Sequence, residues 1–93
     1  MGQIPINFFT EDISFNLKQK GLVRTWIRNT IIAENHRLRL LNFIFCSDAY
    51  LLNINQQYLK HDSYTDIITF DNSDMEQEIV GDIFISLDRI REN

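Results

Sequence analysis

A chain of 93 residues, 44% apolar and 24% charged, allows one domain (1–93) with one modest core and excludes a disordered polypeptide. Its net charge of −4 argues against a general nucleic-acid binder. No apolar run approaches the roughly 20 residues that cross a bilayer, Met1 to Thr10 lacks a basic leader, and the single Cys46 fits a reducing, cytoplasmic setting as a small buried hydrophobe.

The charge is unevenly placed. Lys18, Lys20, Arg24, Arg28, Arg37 and Arg39 stand against Glu34 alone over residues 18–39, which is 6 − 1 = +5. Residues 40–88 carry nine acids against Lys60, which is 1 − 9 = −8. The first segment could meet phosphates; the second would repel them unless cations intervene.

In chain order, Ile4, Ile6 and Phe8 alternate with Pro5, Asn7 and Phe9, which predicts a short first strand with Pro5 at its start or on an edge. From Leu22 to about Asn35, Val23, Trp26, Ile27 and Ile31 recur at helical spacing and predict one buried face. Lys20, Arg24 and Arg28, at i, i+4 and i+8, are expected on the opposite side. Arg37 to Cys46 is apolar on both faces and predicts a central strand. Ser47-Asp48 offers an N-cap and a first-turn acid for a second helix bearing Leu51, Leu52, Ile54, Tyr58 and Leu59. Asp66–Asp71 and Ile79–Leu87 read as the last two strands, joined by the polar, acidic stretch 72–78. Asp88 to Asn93 resembles the first turns of a helix, so the chain reads as a fragment with C-terminal helices missing and part of one sheet face uncovered.

Little of this spells out catalysis. A zinc hydrolase needs three or four converging ligands, whereas only His36, His61 and Cys46 are on offer; His36 suits a helix end and His61 a polar loop. No serine sits in a glycine-flanked elbow, and Gly2, Gly21 and Gly81 form no phosphate-cradling loop. Asp66, Asp71 and Asp82 could gather around magnesium if the last strands pair, or could simply mark turns and solvated edges. Asp82 is the exception, standing between Gly81 and Ile83-Phe84-Ile85. Gly81 reads either as a bulge or as the close approach of a ligand or neighbouring chain. The stripe Lys20, Arg24, Arg28 is either an RNA-backbone contact or a solvated helix face.

Several short motifs in order then carry a resemblance. Ile44-Phe45-Cys46-Ser47-Asp48, Leu52-Asn53 with Gln56, Tyr58-Leu59, His61-Asp62, Thr65-Asp66-Ile67-Ile68-Thr69-Phe70 and Gly81-Asp82-Ile83-Phe84-Ile85-Ser86 resemble the YbeY family of bacterial ribosomal-RNA maturation factors. The resemblance implies an α+β, metalloprotease-like fold, with a small four-stranded sheet packed against helices. It implies zinc-dependent endoribonuclease action in small-subunit ribosomal-RNA maturation and ribosome quality control, with ribosomal RNA or a ribosome-associated protein as partner. In the family, zinc sits on three histidines beyond the Gly-Asp-Ile strand, spaced by three and then five residues. No residue of this chain matches them, so the C-terminal zinc-binding part is expected to be missing from this chain and no zinc ligand is carried over. Thr65, Asp66, Thr69, Phe70, Gly81, Asp82 and Ser86 are expected to flank the cleft. Many members have an Arg where this chain has Leu59; Lys60 or the basic stripe could replace it.

Three functions follow as expectations. The first is part of a zinc ribonuclease, inactive and zinc-free as this chain stands. The second is a non-catalytic module that binds a partner, or itself, through the uncovered sheet face or acidic loop. The third is a magnesium nuclease using Asp66, Asp71 and Asp82.

Overall fold

The computed structural model describes residues 3–92. In chain order the elements are β1 (Ile6–Thr10), α1 (Lys20–Ala33), β2 (Arg37–Cys46), α2 (Asp48–Tyr58), β3 (Ile67–Asp71), β4 (Glu78–Ser86) and α3 (Leu87–Glu92). The strands form one mixed sheet in the order β1-β2-β4-β3, with β1, β2 and β4 parallel and β3 antiparallel to β4. This is the α+β arrangement expected from the sequence. Among the described residues, no helix is long and apolar enough to cross a membrane.

β1 and β3 are the edges, and Pro5 stands just before β1, where its missing N–H interrupts no ladder. The apolar run of β2 puts it beside β4 in the middle of the sheet, with helices on both sides. A register shift between Leu38 and Leu40 is the one irregularity of the β2–β4 ladder. Beyond it the pairing runs evenly from Leu40 opposite Val80 to Cys46 opposite Ser86.

Side chains alternate along strands, so this register decides what each face carries. Ile44, Cys46, Ile68, Phe70 and Phe84 share one face, where α2 lays Leu51 and Ile54 on them. Ile6, Leu41, Phe43, Gly81 and Ile83 share the other, the side of Ile27 and Ile31 of α1. α2 starts as the sequence predicts: the Ser47 hydroxyl accepts from the Tyr50 amide at 3.1 Å, and Asp48 occupies the first turn. Asp12 reaches across from the end of β1 to accept from both the amide and the hydroxyl of Ser47.

α1 departs from expectation. None of its residues is buried, and Trp26 is 70% exposed. Lys20 and Arg24 do not face away from the sheet: the Arg24 guanidinium donates to the Ile6 carbonyl at 2.8 Å and lies 5.1 Å from the Phe8 ring centroid, and Lys20 lines a groove with Phe8 and Phe45. Helical geometry explains it. At about 100° per residue, Lys20, Arg24, Ile27 and Ile31 fall within one sector, whereas Leu22 and Trp26 point elsewhere. The helix ends on Asn35 in the left-handed region (φ 61°), with the His36 amide bonded back to Ile31 at 3.0 Å. His36 is therefore an exposed helix-end residue, as the sequence predicts.

Candidate functional site

Three polar side chains cross the α2-side face beyond the reach of α2. Asn7, Asn42 and Asp82 are register partners on β1, β2 and β4. The Asn7 amide donates to Asn42 at 3.1 Å, and the Asn42 amide donates to Asp82 at 2.9 Å. Both amides point their N–H groups towards the carboxylate, so it is oriented and partly neutralised by dipoles. Beside this line lies an open groove of about 570 Å³ walled by Phe9, Ile44 and Phe84. Sequence reasoning singled out Asp82 but missed Asn7 and Asn42; their matching polar positions in apolar strands were the available signal.

A second groove, about 430 Å³, runs along the outer edge of β3 and is lined by Leu59, His61, Tyr64, Thr65 and Thr69 among others. Its wall, the loop after α2, is held by Asn55, a buried side chain that donates to the Ser63 carbonyl at 2.7 Å. The Asn55 carbonyl accepts from the Leu59 and His61 amides, and Lys60 adopts φ 59° between them. Arg89 of α3 anchors the same loop: it pairs with Asp48 at 2.9 Å and lies 4.8 Å from the Tyr64 ring centroid. Arg89 was not anticipated, because only the fold brings α3 onto both α2 and this loop.

The seven residues expected to flank one cleft do not share one surface. Phe70 and Asp82 are opposite each other on the α2 side. Thr69 and Gly81 have the other parity and face the α1 side. Thr65 and Asp66 precede β3, where the Asp66 carbonyl accepts from the Ser86 amide at 2.9 Å. Ser86 is fully buried; its hydroxyl donates to Asp48 at 3.5 Å and accepts from the Arg89 amide at 3.4 Å. It joins α2 to α3 rather than meeting solvent.

Gly81 is neither a bulge nor a ligand approach. A Cβ there would lie 2.5 Å from the Phe70 carbonyl oxygen, so the glycine lets β3 sit close on β4. The magnesium-nuclease expectation also fails on geometry. Asp71 pairs with Gly81 and lies on the face opposite Asp82, because neighbouring strand positions point to opposite sides. Among the described residues, no three His, Cys, Asp or Glu side chains converge to hold a metal.

The donor set does not fit zinc either. His36 and His61 line different grooves. Cys46 is fully buried, and burial with the carboxylates of Asp12, Asp88, Glu11 and Asp48 pushes its thiol up to about 11. A metal binds thiolate, which this site disfavours. At the other end of the sheet, the Ser73 hydroxyl and amide donate to Asp71 and hold its carboxyl below the usual range.

Taken together, the mixed sheet with β3 folded back on β4, helices on opposite faces and two open grooves defines an α+β framework of the class the motifs suggested. The family model described as "Endoribonuclease YbeY" matches residues 5–93, and the chain belongs to that family. It is similar to the protein named "Endoribonuclease YbeY" of Cytophaga hutchinsonii, at 50% identity over all of this chain and 65% of the relative. The same name is carried by relatives in Flavobacterium psychrophilum (47% identity, 91% of this chain, 60% of the relative) and Amoebophilus asiaticus (44%, 100% and 63%). The chain thus spans 60–65% of the length of these relatives.

Proposed function

We propose that this chain supplies the sheet framework and part of the substrate groove of an endoribonuclease that matures small-subunit ribosomal RNA and acts in ribosome quality control. The observation that carries this reading is the family match across residues 5–93, together with relatives named for endoribonuclease activity. On the chain's own residues, the oriented carboxylate of Asp82 lines the groove on the α2 side with Phe84, and Phe70 stands opposite it on β3. Arg24 is committed to β1, so Lys20, Arg28 and Lys60 remain of the cations expected to meet an RNA backbone. In this reading zinc is the cofactor of the complete family protein, ribosome-associated protein or RNA is the partner, and the cytoplasm is the compartment. The donors described here do not fit the ion, so no chemical step is routed through it.

The test is metal analysis and RNA incubation of the 93-residue chain after equilibration with zinc. The expected result is substoichiometric zinc and intact small-subunit ribosomal RNA. Stoichiometric zinc, or cleavage by this chain alone, would overturn the assignment of its role.

A further inference from the structure

Among the described residues, β3 pairs with β4 on one side and has no strand neighbour on the other. The Ser86 amide bonds to the Asp66 carbonyl, and the Asn72 amide bonds to the Val80 carbonyl. These two pairs fix the phase: the even-numbered positions from 66 to 72 turn their backbone groups towards β4. The backbone N–H and C=O of Ile67, Thr69 and Asp71 therefore point outwards along the free edge. An exposed edge of this kind is a template for another strand.

Two features bear on what could lie there. Tyr58 (67% exposed), Tyr64 (55%), Ile67 (48%) and Leu59 (40%) flank the edge as an apolar margin. Charge is the second feature. Asp62 and Asp66 precede β3, Asp71 ends it, and Asp74 and Glu76 follow in the next loop; all five are exposed. Lys60 is the one lysine among them, and Arg89, over Tyr64, is engaged by Asp48. Such a border disfavours the phosphates of an RNA strand and a second copy of the same acidic edge. It favours cationic side chains alternating along an extended backbone.

We propose that the free edge of β3 is a strand-addition site for an extended, lysine- and arginine-bearing segment of a partner protein. The incoming backbone pairs with Ile67, Thr69 and Asp71. Its alternate side chains pack on the Tyr58, Leu59 and Tyr64 margin, and its cations meet Asp62, Asp66 and Asp71. Acids that merely guarded the edge against aggregation would not require the exposed apolar margin beside them.

The experiment is fluorescence anisotropy of the chain with a fluorescein-labelled peptide of about six alternating valines and lysines, the usual length of a strand. Saturable binding that weakens with salt is expected. Thr69→Pro removes an outward N–H without touching the β3–β4 ladder, because the lost group faces away from β4, and should weaken binding about tenfold. Combined Asp66→Asn and Asp71→Asn should weaken it further and flatten the salt dependence. The same peptide N-methylated at alternate amides should not bind the unaltered chain, a control that no misfolded variant can explain away. Equal binding of the methylated peptide, displacement of the peptide by oligouridylate, or a dimer that Thr69→Pro dissociates would each overturn the proposal.

Discussion

On the α2 side of the sheet, Leu51 is fully buried and packs with Cys46, Ile54 and Ile68, while across the sheet no residue of α1 is buried. Both helices are amphipathic and both pack on the one sheet, α1 against β2 and α2 against β3 and β4. They differ in what their inward sectors carry. α2 presents Leu51 and Ile54, whereas α1 spends part of its sector on Lys20, beside Phe8, and on Arg24, whose guanidinium lies over the Phe8 ring and bonds the Ile6 carbonyl. One face is a closed core; the other is a cover held by a guanidinium contact and a few aliphatic side chains.

The largest expected effect tests that contrast directly. Leu51→Ala should cost about 2–5 kcal/mol, since it empties a fully enclosed site, whereas Ile31→Ala on α1 should cost about 1 kcal/mol. Urea denaturation of both variants measures it, and equal losses would dissolve the distinction between the faces. Gly81→Ala comes next. Its Cβ meets the Phe70 carbonyl at 2.5 Å, so β3 must move off β4, at a cost of about 1–3 kcal/mol by the same assay.

Cys46 sharpens the comparison through pH. Its folded thiol titrates near 11 instead of the ordinary 9.0, chiefly because it is buried. A raised value means that the stabilisation is fully present below pH 9.0 and is lost as pH rises towards about 11. Thermal melts across that window should fall, less so for Cys46→Ala, and iodoacetamide at pH 8 should label Cys46 only after unfolding.

Asp71 gives the smallest effect and the opposite sign. Its carboxyl is held below the ordinary 3.8 by Ser73, so its contribution is present above that value and lost as pH falls through the lower folded one. In Ser73→Ala the Asp71 carboxyl should titrate at higher pH, read by NMR, with little change in midpoint denaturant. An unchanged titration would remove Ser73 as the cause.

Local signals in the chain were readable where the interaction itself is local. The Ser47 cap acts on an amide three residues away, and the Arg37–Cys46 run needs only its own pattern to read as a strand. α1 was also legible but read wrongly, because Arg24 shares the sector of Ile27 and Ile31 and charge alone does not send a long side chain outwards. The cleft residues fared differently. Thr69 and Phe70 are neighbours in sequence, yet point to opposite faces, and which of them joins Asp82 depends on the β3–β4 register.

By itself, the sequence determined the family, the order and type of the elements, and the place of Asp82 within an apolar strand, because motifs, caps and periodicity are properties of short stretches. Only the tertiary structure decided that Asn7 and Asn42 orient Asp82, that Asp71 stands away from it, that Gly81 admits a neighbouring carbonyl, and that β3 is an edge strand of the described sheet. Each of those depends on pairing between strands separated by tens of residues, and a one-residue change in register would send every side chain to the other face.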